Sequence, residues 1–108
     1  MLKMNYEFRK GILFVRLLGN FDKDHYQRNI KKLNELIKEI GITNIVLNID
    51  EIKSIDISGI NYILNYYKYI VSKSGSFILC EKDNTITKKI FKEKIPWIDN
   101  ELKAFALI

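Results

Sequence analysis

The chain has 108 residues, 47% of them hydrophobic and 29% charged, with one cysteine and a formal net charge of +5. That length suits one domain, 1–108, built on one core, and the balance of apolar and charged residues excludes a disordered chain. A lone cysteine excludes an internal disulfide, and no apolar run approaches the ~20 residues of a membrane-spanning helix.

The basicity comes from fifteen lysines against three arginines. They are dispersed apart from Lys82, Lys88, Lys89, Lys92 and Lys94, and no recognised module accompanies them, so no nucleic-acid partner is expected. Met1-Leu2-Lys3-Met4 leads straight into a strand pattern rather than a signal peptide. Cys80 ends the apolar run Phe77-Ile78-Leu79, where a thiol acts as a small buried hydrophobe, and a reducing cytoplasm is the expected setting.

In chain order, Asn5 to Arg9 alternates, Lys10-Gly11 is a tight turn, and Ile12 to Leu18 is a second strand, together a hairpin. Gly19 is expected to end it. Asp22 or Asp24 is the expected cap of a helix whose inward positions are Tyr26, Ile30, Leu33, Ile37 and Ile40, closed by Gly41. Asn44 to Ile49 reads as a central strand, since Ile45-Val46-Leu47 does not alternate. Asp56-Ile57-Ser58-Gly59 then interrupts the apolar pattern. The helix that follows places Ile60, Ile63, Leu64, Tyr67, Ile70 and Val71 on one face.

Ser74-Gly75 turns the chain into a strand from Ser76 to Cys80. Asp83 or Asn84 is expected to cap a short helix bearing Ile86, Ile90 and Phe91, which Pro96 stops. Trp97-Ile98 is a brief strand candidate. Asp99 is expected to cap a last helix with Leu102, Phe105 and Ala106 facing in. The sum is an α/β domain with a mixed sheet of four to five strands and helices packed mainly on one face.

The polar residues allow few chemistries. Ser58, His25 and Asp22 can be written as a triad, but no nucleophile elbow surrounds Ser58, and no catalytic residue is assigned. One histidine and one cysteine far apart in sequence do not make a metal site, and without a Gly-rich phosphate loop no cofactor is expected. Ser58 reads first as an N-cap, with Gly59 easing a close approach of loop and sheet. Asp56 reads as a loop-ordering side chain that bonds nearby N–H groups. Tyr62, Tyr66 and Tyr69 form a second stripe nearly opposite the Ile and Leu face, expected to be covered by a partner or by a second copy of the chain.

Three segments, in order, resemble the STAS domain family of the anti-sigma factor antagonist type. Leu17-Leu18-Gly19-Asn20-Phe21-Asp22 resembles its strand end, with Asn20 in place of a common acidic residue. Asn44 to Ile49 followed by Ile55-Asp56-Ile57-Ser58-Gly59-Ile60 resembles its central strand and D-S-[ST]-G loop. Ser74-Gly75-Ser76-Phe77-Ile78-Leu79 resembles its glycine turn and next strand, and Ile98 to Ala104 is similar to the start of its terminal helix.

The resemblance implies a non-enzymatic module that binds an anti-sigma factor doubling as a serine kinase and so frees a sigma factor. It also implies a docking corner of Asp22, Asp56, Ile57, Ser58, Gly59 and Tyr62. The residue after the loop Asp is the family's phosphoacceptor; here it is Ile57, which has no hydroxyl. Ser58, one residue later, is the candidate surrogate. The alternatives are a scaffold STAS protein independent of phosphorylation, and a STAS domain that binds a small ligand or nucleotide.

Overall fold

Lys10 and Gly11 both adopt positive φ, 51° and 81°, the backbone a two-residue hairpin turn needs to match strand twist. They join β1 (Leu2–Arg9) to β2 (Ile12–Phe21) in an antiparallel pair. The computed structural model describes residues 2–93 and 95–108. Lys94 and the side chains of Phe91, Lys92 and Glu93 lie outside the described residues, and with them the inward position expected of Phe91.

The remaining strands are β3 (Asn44–Ile55), β4 (Ser76–Cys80) and β5 (Trp97–Ile98). They complete one five-stranded sheet in the order β1-β2-β3-β4-β5, and every pairing after the hairpin is parallel. The helices are α1 (Gln27–Asn34), continued by a π-helical segment Glu35–Glu39, then α2 (Ile57–Ser72) and the short α3 (Ala104–Leu107). None is long and apolar enough to cross a membrane.

The larger core lies on one face of the sheet, where Leu13, Val15, Leu17, Ile45, Leu47 and Ile49 meet Ile30, Leu33 and Ile37 of the first helical stretch and Ile63, Tyr66 and Ile70 of α2. On the other face Ile12, Phe14, Val46, Ile78 and Cys80 lie under Ala104 and Phe105. Coverage on both sides explains why Ile45-Val46-Leu47 does not alternate. Cys80 is buried, and that burial pushes its thiol pKa up to about 12. The C-terminal segment is held to the sheet by Glu101, which accepts from Arg16 Nη2 at 2.7 Å, Arg16 Nε at 2.9 Å and Asn48 Nδ2 at 2.7 Å.

The structure corrects several local expectations. Gly19 does not end its strand: at φ 103° it sits in an irregular stretch where the β2–β3 register shifts twice, and β2 runs on to Phe21. Neither Asp22 nor Asp24 caps α1, which starts behind Tyr26 with no side-chain cap. Ile40 is exposed, whereas Leu36 is buried.

Asp83 and Asn84 are replaced as caps by Glu81, whose buried carboxylate accepts from the N–H groups of Ile86 and Thr87 at 2.8–2.9 Å. Those two residues open the 3-10 turn Thr87–Glu93. Asp99 pairs with Lys103, and the neighbouring Asn100 caps the last helical segment by accepting from Leu102 N. Leu102 and Ala106 are exposed, and Ala104 takes the inward position.

The largest correction concerns α2. Tyr66, expected on its outer face, is only 4% exposed, while Val71, expected inside, is 48% exposed. Tyr66 Oη donates to Asn34 Oδ1 at 2.8 Å. Tyr62 and Tyr69 are half-buried against the same core. The tyrosine stripe is therefore the contact between α2 and α1, where a ring can bury its body and satisfy its hydroxyl. Tyr66 is thus not available to a second copy.

Two substitutions test that orientation in denaturant melts. Tyr66→Ala is expected to cost about 3–5 kcal/mol, as for other large buried rings. Val71→Ala is expected to stay within about 0.5 kcal/mol of the parent.

Candidate functional site

The β2–β3 register sets Asn20 beside Ser54 and Phe21 beside Ile55, so both strands finish together at their carboxyl ends. That edge is where parallel α/β sheets present their sites. Ser54 Oγ donates to Asn20 Oδ1 at 2.9 Å, which ties the two ends through side chains. Beyond them the chain leaves β2 into Asp22 and leaves β3 into Asp56.

Asp56 is the N-cap of α2, in extended backbone with φ −100° and ψ −179°. One carboxylate oxygen accepts from Gly59 N at 2.8 Å and the other from Lys23 N at 3.0 Å. The same side chain thus closes the first turn of α2 and holds the loop after β2. Accepting these N–H groups, Lys23 first and Gly59 second, lowers the Asp56 carboxyl below its ordinary pKa. Ser58, expected as the cap, lies inside the first turn instead. It is half-buried, and its hydroxyl has no hydrogen-bond partner among the described residues.

Gly59 is buried where α2 crosses the strand ends. A Cβ there would stand 2.4 Å from Phe21 O and 2.8 Å from Ile55 Cγ1. Only glycine lets the helix start this close to the sheet, as the sequence implied.

Asp22 organises its own loop. Its Oδ1 accepts from Asp24 N at 3.1 Å and lies 2.6 Å from His25 Nδ1, while its carbonyl accepts from His25 N and Tyr26 N. With its oxygens committed to this turn, it cannot cap α1. Of the written triad, the structure brings together Asp22 and His25, and Ser58 bonds to neither.

Ile57 is the first residue of α2 and is 77% exposed. Tyr62 sits one turn further on, half-buried, its ring edge-on to Tyr26 at 4.9 Å. Tyr26 in turn meets Phe21 at 5.8 Å. An open groove of about 450 Å³ runs from this point between α1 and α2, with Lys23, Tyr26, Lys31 and Tyr62 among its walls. Asp22, Asp56, Ile57, Ser58, Gly59 and Tyr62 therefore do form one corner. The residues missed by sequence reasoning are Lys23, whose amide is the second ligand of Asp56, and the Asn20–Ser54 pair. Both depend on how the two strand ends are brought together, which no local pattern encodes.

Two substitutions test the corner's construction. Gly59→Ala is expected to destabilise the fold by about 1–3 kcal/mol through the clash with Phe21 O. Asp56→Asn is expected to lower the melting temperature near neutral pH. A depressed folded pKa gives stability that is present above the unfolded value and lost as pH falls through the folded one. The gap between parent and Asp56→Asn is therefore expected to close below about pH 4, and melts across pH check it.

The model of the STAS domain family matches residues 3–101. An anti-sigma F factor antagonist of Paenibacillus polymyxa is 28% identical over 107 residues, covering 95% of this chain and 92% of that protein. The anti-sigma factor antagonist SpoIIAA in its unphosphorylated form superposes with a TM-score of 0.78 at 21% identity, over 96% of each chain. The Bacillus cell fate determinant SpoIIAA in the phosphorylated form gives 0.76 at 18% identity, over 98% of this chain and 100% of that one. With the family model spanning nearly all of its length, the chain belongs to the STAS domain family.

Proposed function

We propose that this protein is a cytoplasmic anti-sigma factor antagonist. It docks on a kinase-like anti-sigma factor through the corner of Asp22, Asp56, Ile57, Ser58, Gly59 and Tyr62, and phosphorylation does not switch that docking. The likeness to the Paenibacillus polymyxa antagonist over almost the whole of both chains supports the regulatory class. The observation that carries the finer reading is Ile57, 77% exposed at the head of α2. Scattered surface hydrophobes are ordinary. This one stands between two ordered turns, each fixed by Asp56.

On this reading Ile57 has a positive role. A side chain held on a rigid turn loses little freedom on binding, and burying it under a partner contributes about 1–3 kcal/mol. A charge pressed into the same contact would lose its water without gaining a partner. The groove beside it, with Lys23, Lys31 and the edges of Tyr26 and Tyr62, extends the contact along α1. In this reading Ser58 is a packing residue: it is half-buried behind the exposed Ile57.

Titration calorimetry with the host's kinase-like anti-sigma factor tests the reading. Ile57→Asp is expected to weaken binding at least about tenfold, a loss of ~1.4 kcal/mol, with the fold intact. Unchanged affinity would move the docking surface elsewhere. Incubation of the parent with the same partner and ATP is expected to leave its intact mass unchanged. Stoichiometric phosphate that Ser58→Ala abolishes would make Ser58 the switch.

A further inference from the structure

We propose that the outer edge of β1 pairs antiparallel with the β1 of a second copy, making one continuous sheet across a dimer. β1 has eight residues, Leu2–Arg9, and stands at the end of the sheet with β2 as its only strand neighbour. In a hairpin closed at Arg9 and Ile12, hydrogen-bonded and non-bonded residues alternate. Arg9, Glu7, Asn5 and Lys3 turn their backbone groups to β2, so Phe8, Tyr6, Met4 and Leu2 turn theirs outward. The carbonyl of Leu2 fits this pattern, because it accepts from Asn29 Nδ2 at 2.8 Å rather than from β2.

Long unpaired edges are template sites, and charged side chains usually guard them. Among the registers that overlap most of β1, with Met4, Asn5 or Tyr6 at the two-fold axis, only one sets opposite charges across the pair. When Asn5 faces Asn5 of the second copy, Lys3 lies opposite Glu7 of the second copy, and the reverse contact follows from the two-fold axis. Shifting the register so that Tyr6 faces Tyr6 would instead set Lys3 against Arg9. Opposite charges directly across a strand pair stabilise it and like charges oppose it. Lys3 has no ion-pair partner among the described residues. Glu7 carries Arg9 at 3.6 Å and Arg16 at 3.1 Å, both on its own chain.

The same register is the one that pairs all four apolar residues of the strand, Leu2, Met4, Tyr6 and Phe8. Tyr6 is 45% and Phe8 58% exposed on the helix side of the strand. With Asn5 at the axis, Tyr6 meets Met4 and Phe8 meets Leu2 of the second copy. The two α1 helices then flank a trough whose floor these four side chains fill. Met4 and Tyr6 supply the central backbone bonds, and the Leu2 carbonyl shares its second lone pair with Phe8 N–H. Each chain has one such edge, so pairing closes at two copies.

Sedimentation equilibrium tests the proposal on the full chain. The parent is expected to populate dimer below about 1 mM. Lys3→Glu and Glu7→Lys, each alone, set like charges across the pair and are expected to raise the dimer dissociation constant at least tenfold. An equimolar mixture of the two variants restores both opposite pairs and is expected to dimerise as the parent does. A monomeric parent at that concentration, or single variants that dimerise unchanged, overturns the proposal. If either variant misfolds by circular dichroism, hydrogen exchange of the parent decides. The amides of Met4, Tyr6 and Phe8 must slow as concentration rises, and exchange independent of concentration overturns the pairing.

Discussion

Parallel pairing of β2 with β3 is the constraint on which the molecule depends. These strands are covered on both faces, and each places side chains in both cores, Val15 and Leu47 in the larger, Phe14 and Val46 in the smaller. Their register sets where each strand stops. The irregularities at Arg16–Leu18 and Gly19–Asn20 let the strands remain paired until Phe21 lies beside Ile55. Bulged strands commonly re-aim the residues that follow them. Here they deliver two acidic residues, Asp22 and Asp56, to one corner. Asp56 then joins the two emerging segments through one carboxylate, which fixes the start of α2 and the side chain at its head.

A device usually read as a switch is built here with an apolar head. The unpaired N–H groups at the start of a helix and its positive end tolerate a phosphate, and such a group adds about −1.5 to −2 charges to whatever surface surrounds it. The corner keeps the frame for that chemistry: the capping Asp56, the close crossing at Gly59 and the exposed first residue of α2. At that first residue it presents Ile57. On the proposed reading, this surface binds through shape and burial rather than through a modification.

Much of the fold was legible in the residues, because the strongest signals were local and periodic. Lys10-Gly11 read as a hairpin turn, Ile45-Val46-Leu47 as a doubly covered strand, and Gly59 as a close approach. The failures share a cause. Gly19 looked like a terminator because a glycine's effect depends on whether the neighbouring strand continues beside it. Caps were misplaced by one or two residues at Ser58 and Asp99, where Asp56 and Asn100 compete with equal chemistry and tertiary geometry chooses. At Asp83 and Asn84 the cap came from Glu81, just after the end of β4. Tyr66 was misread because its stripe lies nearly opposite Ile60, Leu64 and Val71, whereas Asn34 on another helix supplies the partner that lets it be buried. The corner proposed for docking was chosen by resemblance; its internal bonds, Asp56 to Lys23 and Asn20 to Ser54, follow from register and were beyond reach of the sequence.

The measurement that bears most directly on the central claim is amide chemical-shift mapping of the labelled protein titrated with the kinase-like anti-sigma factor of its host. Docking through the corner predicts that the perturbed amides cluster at residues 20–26 and 54–62, with Lys23, Ile57 and Tyr62 at the centre. Perturbations gathered at the far end of α2, around Thr43, Tyr69 and Lys73, with the corner unmoved, would contradict the account.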